Sequence, residues 1–324
     1  MTTPIALFVY NRPEHTRKTI KALQNNFLAK DSELFIFCDG PKNEAGLKKI
    51  NEVHQIIDSV SGFKKVTITK RSLNKGLANS VIEAVSSIIN QFGKIIVLED
   101  DIVTSRYFLQ YMNDGLEFYQ NNPQIFAITG FNFPEKILKY PASYKEEIFF
   151  VKGRFSSWGW GSWKDRWNKI DFAVKDFESL KNDKKQQFAF NQGGDDLFDM
   201  LKLQMKGKID AWDIQVSYAI FKNNAYTVFP IHSLVKNIGF DATGIHCSEN
   251  QAMMDVDLDK TEYKKGTFKN PEEIKNNQIP AKIYINNHKR KFFQLSKAKK
   301  LRLKYILIGI LISQAINFLY QIIK

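Results

Sequence analysis

The stretch Lys94-Ile-Ile-Val-Leu-Glu-Asp-Asp101 is the most informative in the chain, because an apolar run there ends abruptly at three carboxylates. Four consecutive aliphatic residues indicate a buried strand. Adjacent carboxylates repel one another, and a divalent cation would relieve that repulsion, since Mg²⁺ and Mn²⁺ take oxygen ligands and also bind nucleotide phosphates. A solvated acidic turn explains the same residues. Other segments must therefore decide between a metal-nucleotide site and a turn.

Strand and helix patterns alternate through the first 130 residues. Apolar runs predict strands at 5–10, 34–38, 66–69, 95–98 and 125–129, and helices begin at Pro13 and cover 76–91 and 107–121. This succession predicts an α/β fold with a mainly parallel sheet and helices on both faces. Ligands of such sheets collect at the carboxyl ends of strands. Asp39 and the three acids at 99–101 both follow strands, so we expect them to converge there.

The character of the sequence changes after residue 130. Residues 131–172 read as loop-rich and aromatic, and four of the five tryptophans lie within ten residues. Indoles separated by glycines suit a wall for a sugar face or a base, or alternatively a hydrophobic plug under a long loop. A helix is expected at 195–206. The pair Asp195-Asp196 at its start suits helix capping or a role in positioning a second substrate.

Positive charge is concentrated at the end of the chain. The formal net charge is +13, but residues 274–324 hold eleven Lys or Arg and no acid, which leaves +2 for the rest. We therefore expect no nucleic-acid partner for the body. Residues 305–323 are apolar with a polar stripe, which favours an amphipathic helix lying on an anionic membrane. Docking on the protein's own core or on a second subunit is the alternative.

Two further features bear on localisation and on the role of the cysteines. The N-terminus has no basic region before its short apolar run, so we expect a cytoplasmic protein, peripheral on the inner face of the cell membrane. Cys38 and Cys247 are the only cysteines, which gives little support to a disulfide framework or a zinc site.

Seven segments within residues 3–247 resemble nucleotide-sugar glycosyltransferases of the GT-A type, close to bacterial family 2 and more distantly to the N-acetylglucosaminyltransferase I group. The usual Asp-x-Asp motif is Glu-Asp-Asp here, a variant seen in the latter group. The segments are Val9-Tyr-Asn-Arg-Pro13, Asp39-Gly40, Asn74-Lys-Gly-Leu-Ala-Asn-Ser80, Glu99-Asp100-Asp101, the tryptophan segment, Trp212-Asp213 and Asn237-Ile-Gly-Phe-Asp-Ala-Thr-Gly-Ile-His246.

The resemblance implies a GT-A (Rossmann-like) domain, and the charge and hydropathy of the tail predict a basic C-terminal amphipathic helix after it. Residues 1–130 would form the nucleotide-sugar-binding half and 131–250 the acceptor-binding half. Residues 251–296 would be a basic extension, and 297–324 the membrane-associating helix.

The resemblance also implies roles for individual residues. The donor would contact Tyr10, Asn11, Arg12, Asp39, Asn74, Gly76, Glu99 and Asp100. Asp101 and His246 would bind Mn²⁺ or Mg²⁺, and Trp158, Trp160, Asp195 and Asp196 would bind the acceptor. Asp213 would be the catalytic base. The alternatives are a phosphate contact for Arg12, an ordinary helix entry at Asn74, a structural His246 and a helix cap at Asp213.

The implied activity is inverting transfer of a hexosyl or N-acetylhexosaminyl group from a UDP-sugar to a hydroxyl of a glycan or lipid-linked acceptor, in cell-surface polysaccharide synthesis. A sugar-phosphate nucleotidyltransferase is one alternative, although Asn11-Arg-Pro-Glu14 lacks the glycine-rich phosphate loop of those enzymes. A non-catalytic scaffold that binds membranes or polyanions is another. Oligomeric state is left open.

Overall fold

The computed structural model describes residues 2–241, 256–258, 262–274 and 278–286. The strands are β1 (Ile5–Val9), β2 (Glu33–Cys38), β3 (Lys65–Lys70), β4 (Lys94–Glu99), β5 (Ile102–Thr104), β6 (Ile125–Thr129), β7 (Ile148–Lys152), β8 (Trp160–Trp163), β9 (Tyr226–Pro230) and β10 (Val235–Asn237). The helices are α1 (Pro13–Gln24), α2 (Leu47–Asp58), α3 (Leu77–Phe92), α4 (Phe108–Phe118), α5 (Lys164–Trp167), α6 (Phe177–Asn182), α7 (Lys184–Phe190), α8 (Leu197–Met205) and α9 (Asp213–Lys222). Residues 278–286 are also helical.

Eight of the strands form one sheet in the order β3-β2-β1-β4-β8-β6-β9-β7. The pairs β3-β2, β2-β1, β1-β4 and β6-β9 are parallel, whereas β8 is antiparallel to both of its neighbours and β7 to β9. Six strands therefore run in one direction and two in the other. The predicted α/β class with a mainly parallel, Rossmann-like sheet is confirmed.

Alternate residues of the central strands enter different cores, because successive side chains of a strand point to opposite faces. Ile5 and Leu7 of β1 belong to a core that α1, α2 and α4 cover, and Ala6 and Phe8 belong to a second core under α3 and α9. Both sets are buried. The expectation of helices on both faces is thus confirmed, and it explains why these strands read as unbroken apolar runs.

Residues 131–172 are loop-rich, as expected, but they also contain two strands that the sequence did not reveal, β7 and β8. β8 inserts between β4 and β6, and its Trp160 pairs with Val97. Gly161 permits this insertion, since a Cβ there would lie 2.8 Å from the carbonyl oxygen of Ile95. A four-residue strand that contains glycine has a weak sequence pattern, which is why the sequence did not reveal it.

The described part of the predicted extension 251–296 packs into the body of the protein. Phe268 contacts the rings of Tyr111 and Tyr119 at centroid distances of 5.1 and 5.6 Å, and Tyr284 contacts Phe229 at 4.7 Å. Phe268 and Tyr284 are 6% and 1% exposed. Residues 262–286, where described, therefore complete the same core as the first half of the chain.

The predicted membrane-associating helix at 297–324 lies outside the described residues. Within the described ranges, no helix combines the length and hydropathy that crossing a membrane requires.

Replacing Phe268 by alanine should destabilise the protein by about 3–5 kcal/mol, because it leaves a cavity among buried aromatic rings. Urea denaturation followed by tryptophan fluorescence measures the loss. The matched control is Phe188→Ala, since Phe188 is 72% exposed and its truncation should change the unfolding free energy by less than about 0.5 kcal/mol. Equal, small effects of both substitutions would show that Phe268 is not part of the core.

Candidate functional site

Strand β1 lies at the centre of the site, because it pairs with β2 on one side and β4 on the other. Val9 is in register with Cys38, and Phe8 is in register with Glu99. The residues that follow β1, from Tyr10 to Arg12, therefore run between the end of β2 and the end of β4. The sheet thus brings the predicted donor residues to one edge, as expected from its parallel order.

Asp39 organises the loop that leads into α3. It is 7% exposed, and its carboxylate accepts hydrogen bonds from the backbone amides of Lys75 and Gly76, each at 3.0 Å. The Asn74 side-chain amide donates to the carbonyl of Gly40 at 2.8 Å. Gly76 has a φ of +78°, a conformation that favours glycine. The structure therefore brings Asp39, Asn74 and Gly76 together, and Asp39 has a positioning function for this loop.

Tyr10 and Asn11 connect this loop to the acids at 99–101, which we call the acidic cluster. The Tyr10 hydroxyl accepts a hydrogen bond from the backbone amide of Lys42 at 3.2 Å, so Tyr10 lies beside the loop that Asp39 begins. Tyr10 and Asn11 are both half-buried. Their contact with a nucleoside stays a prediction.

Arg12 bridges the two aspartates that follow β4. Its Nη2 donates to Oδ1 of Asp100, and its Nη1 lies 3.0 Å from Oδ2 of Asp101. Asp100 and Asp101 are 3% and 6% exposed, and Thr19 also donates to the backbone carbonyl of Asp100 at 2.7 Å. The acidic cluster is therefore a buried ion-paired group. This finding differs from a solvated acidic turn, and it gives Arg12 a partner that sequence analysis did not foresee.

Residues 237–241 cover this ion pair, and we call them the covering segment. β10 pairs with β5, and the amide of Ile238 donates to the carbonyl of Asp101 at 2.9 Å. A Cβ on Gly239 would lie 2.3 Å from Oδ2 of Asp101, so the backbone packs directly on that carboxylate. Only glycine allows so close an approach.

His15 of α1 makes polar contacts with the covering segment. Its Nε2 lies 3.3 Å from the carbonyl oxygen of Ile238 and 3.1 Å from Oδ2 of Asp241. No sequence motif predicts a role for His15. Its spacing of three residues from Arg12 could have indicated one, because that spacing places both side chains on one side of the helix start.

Burial and mutual repulsion shift the pKa values of the acids. Burial raises the pKa of Asp100 to about 6, with Arg12 opposing the shift and Asp101 adding to it. Burial also raises the pKa of Glu99 well above its ordinary range, and repulsion from Asp101, Asp100 and Asp213 adds to the effect. Burial lowers the pKa of the Arg12 guanidinium, but attraction to Asp100 and Asp101 outweighs burial and raises it overall. Each additional negative charge is therefore costly at this edge.

The chemistry of the acidic cluster suits a divalent cation, because two buried carboxylates outnumber the one guanidinium that they share. Among the residues that the structure describes, no three Asp, Glu, His or Cys side chains gather to hold a metal ion. A bound ion would accordingly complete its ligands with oxygen atoms of a substrate or of water. His246, the second predicted ligand, lies outside the described residues.

Asp213 is the first residue of α9, and Trp212 occupies the cap position with no side-chain capping hydrogen bond. Its charge acts on Glu99 and on Arg154, raising the pKa of both. Asp213 thus stands near the acidic cluster, although it comes from a helix on a different part of the chain.

The tryptophans divide into two groups. Trp160, Trp163, Trp167 and Trp212 are at most 3% exposed. The expectation that Trp160 presents its ring to an acceptor is corrected by this burial, because the ring packs against Trp167 and Trp212 at 5.6 and 5.8 Å. Trp158 is half-buried and contacts Phe240 of the covering segment at 5.7 Å. Trp158 therefore borders the site, whereas Trp160, Trp167 and Trp212 form a hydrophobic plug and Trp163 belongs to the other core.

Asp196 forms a bidentate ion pair with Arg154. Arg154 donates from Nη1 to Oδ1 at 2.9 Å and from Nη2 to Oδ2 at 2.6 Å, and Nη1 also reaches the carbonyl of Gly193 at 3.0 Å. Both side chains are about 90% buried. Asp195 is exposed. The two predicted acceptor residues therefore differ, since Asp196 is committed to Arg154 and only Asp195 faces solvent.

Comparison with known proteins gives distant similarity. No family model matches the sequence, and no curated protein sequence matches it. S. aureus TarS 1–349 in complex with UDP-GlcNAc is 10% identical over 72% of this chain and 58% of that chain, with a TM-score of 0.39. The mannosyltransferase PcManGT from Pyrobaculum calidifontis in complex with GDP-Man and Mn²⁺ is 10% identical over 51% of this chain and 45% of that chain, with a TM-score of 0.35. A cytidylyltransferase from Leptospira borgpetersenii serovar Hardjo-bovis is 11% identical over 53% of this chain and 64% of that chain, with a TM-score of 0.30. The aligned part spans less than two thirds of each of these chains.

Asp100→Asn should change how stability depends on pH. The folded pKa of about 6 exceeds the ordinary value of 3.8, so the folded state holds this proton more tightly than the unfolded chain does. The resulting stabilisation is complete below pH 3.8 and is lost as the pH rises through 6. Asparagine carries no such proton. The unfolding free energy of the variant should therefore rise relative to the parent, on the order of 1–3 kcal/mol between pH 4 and 7. Urea denaturation at several pH values measures this difference, and a flat difference would contradict the shift.

Asp196→Asn should destabilise the protein by about 3–5 kcal/mol, because it leaves the buried Arg154 charge without its carboxylate. Asp195→Asn is the matched control, being the same change one residue earlier at an exposed position. Its effect on the unfolding free energy should stay within about 0.5 kcal/mol. Thermal and urea unfolding check both variants. A small effect at Asp196 would remove the argument that its role is structural.

Proposed function

We propose that this protein is a glycosyltransferase that moves a sugar from a nucleotide-sugar, of the UDP class, to a hydroxyl group of a glycan or lipid-linked acceptor. The observation that carries the proposal is the meeting of the Asp39 loop and the Arg12, Asp100 and Asp101 cluster at the carboxyl edge of one sheet. Asp213 lies beside them. These are the residues on which the sequence resemblance rests, and their convergence supports a common site.

The donor would lie along the segment from Tyr10 to Arg12. Its nucleoside would meet Tyr10 and the Asp39 loop, and its diphosphate would lie toward the acids. A carboxylate has about four lone-pair positions, so Asp39 retains capacity to accept hydrogen bonds beyond those from Lys75 and Gly76. The charged end of the donor would then lie at the acidic end of the site.

Asp101, supported by Asp100, would hold a divalent cation, Mn²⁺ or Mg²⁺. When bound, the cation supplies Lewis-acid stabilisation of the charge that collects on the leaving diphosphate. The net negative charge of the described cluster supports this assignment, because a diphosphate would otherwise be repelled there. His246 remains a proposed further ligand.

Asp213 would take the proton from the attacking hydroxyl of the acceptor. A hydroxyl is a poor nucleophile unless a base accepts its proton in the transition state. The proximity of Asp213 to Glu99, whose pKa its charge raises, supports this role. Attack opposite the leaving diphosphate would invert the anomeric configuration.

The acceptor would approach past Trp158 and the exposed Asp195. A lipid-linked acceptor would suit a chain whose basic tail at 297–324 binds an anionic membrane on the cytoplasmic face. Transfer of this kind would serve cell-surface polysaccharide synthesis.

Calorimetric titration of UDP into the full-length protein, with Mn²⁺ and then with EDTA, tests the proposal. We expect binding with Mn²⁺ that is lost in EDTA and in Asp101→Ala. Asp31→Ala is the control, because Asp31 is exposed and precedes β2 at the opposite edge of the sheet. Its binding should equal that of the parent.

The same titration separates the base from the donor site. Asp213→Asn should bind UDP like the parent but lose transfer and hydrolysis of UDP-sugars by at least about 10²-fold, since a positioned base contributes about 10²–10⁴. Circular dichroism verifies that each variant is folded. Absence of UDP binding to the folded parent in Mn²⁺ would rule out the UDP-sugar assignment.

A further inference from the structure

Arg12 occupies the position at which the two carboxylates of the acidic cluster converge. Its two terminal nitrogens engage one carboxylate each, Asp100 through Oδ1 and Asp101 through Oδ2. The Arg12 side chain is 19% exposed, whereas the two carboxylates are 5% and 9% exposed. The guanidinium therefore neutralises part of the charge that the proposed metal ion would neutralise.

The surroundings crowd the oxygen of Asp101 that Arg12 contacts. The backbone of Gly239 packs on this atom, since a Cβ there would lie 2.3 Å from Oδ2 and 3.1 Å from Nη1 of Arg12. Oδ2 thus has the guanidinium on one side and the covering segment on another. A divalent ion that coordinated this oxygen would also stand within a few ångströms of the Arg12 charge, and like charges repel strongly where water is excluded.

We propose that Arg12 is a built-in competitor of the divalent cation for Asp100 and Asp101, so that metal binding requires the guanidinium to leave at least one of these carboxylates. In the absence of metal, Arg12 keeps the buried acids neutralised and aligned. The metal affinity of the site is then set by the exchange of one cation for another. This inference uses the metal site of the proposed function but does not depend on the identity of the sugar donor.

The ion pair could instead serve to orient the carboxylates for the metal. That role predicts the opposite result, because loss of Arg12 would then disorder the ligands and weaken metal binding. The sign of the change in metal affinity therefore distinguishes competition from support.

The test measures Mn²⁺ affinity of the full-length protein without nucleotide, by electron paramagnetic resonance of the free ion at fixed pH. Arg12→Gln removes the charge and keeps a polar side chain of similar reach, and it should bind Mn²⁺ at least about tenfold more tightly than the parent. Arg12→Lys keeps the charge and should stay within about threefold of the parent, since a lysine can still pair with one carboxylate.

Two controls locate the effect. Arg17→Gln removes the same charge from the same helix at a side chain that is 58% exposed, and its Mn²⁺ affinity should match that of the parent within about twofold, because water screens exposed charges. In the double variant Arg12→Gln/Asp101→Ala, the gain should disappear. Unfolding midpoints establish that the single variants are folded.

Unchanged or weaker Mn²⁺ binding by folded Arg12→Gln, including no measurable binding by either protein, would overturn the proposal. Persistence of the gain in the double variant would also overturn it, because the tighter site would then lie elsewhere. Failure of UDP to bind the parent is a separate outcome. It would remove the proposed function but leave the measured competition between Arg12 and Mn²⁺ intact.

Discussion

The contact of Arg12 with Asp100 and Asp101 answers a problem that the sheet itself creates. Parallel strands deliver their carboxyl ends to one edge, and in this chain the end of β4 carries three acids, of which Asp100 and Asp101 are buried and Glu99 is half-buried. An unpaired buried carboxylate is costly, and neighbouring carboxylates raise that cost. Arg12 stands after β1, the strand that pairs with β4. The same topology that concentrates the acids therefore also supplies their counter-charge.

Several other features depend on that contact. The covering segment packs its Gly239 backbone on the Asp101 carboxylate, and His15 holds the segment from α1. A movement of Arg12 would accordingly disturb the packing of the covering segment, which lies more than 220 residues later in the chain. The second buried ion pair, between Arg154 and Asp196, is different in kind. It is bidentate and closed by the carbonyl of Gly193, which marks it as a structural link between the aromatic region and α8.

Sequence reasoning located the strands well where apolar runs had sharp ends. The strand predicted at 125–129 coincides with β6, the one at 5–10 extends one residue beyond β1, and the one at 95–98 is one residue shorter than β4 at each end. Short strands with glycine or without alternation were missed, as in β8. The predicted site residues of the first half converge because parallel topology follows from the pattern of elements. The pairing of Arg12 with Asp100 joins residues 88 positions apart, and no local pattern encodes such a contact.

The tryptophans show a similar limit. Composition marked the segment as unusual, but a buried plug and a ligand-facing wall use the same residues. Trp160 is buried in the plug, whereas Trp158 is half-buried and borders the site, although a single glycine separates them. On a strand, residues two apart face the same side. Trp158 precedes β8, and Gly159 between them has a φ of +63°, so that rule does not extend from Trp160 to Trp158.

Glu99 shows why a further cation suits this site even though Arg12 is present. Burial raises its pKa, and three other carboxylates, including Asp213, add to the effect while Arg12 only partly offsets it. One guanidinium therefore only partly offsets the repulsion that acts on Glu99. A divalent ion at this edge would lower the pKa of Glu99, because a nearby positive charge favours the ionised form. Since the charge of Asp213 is one of those that raise the pKa of Glu99, the proposed base and the proposed metal ion would act on the same carboxylate.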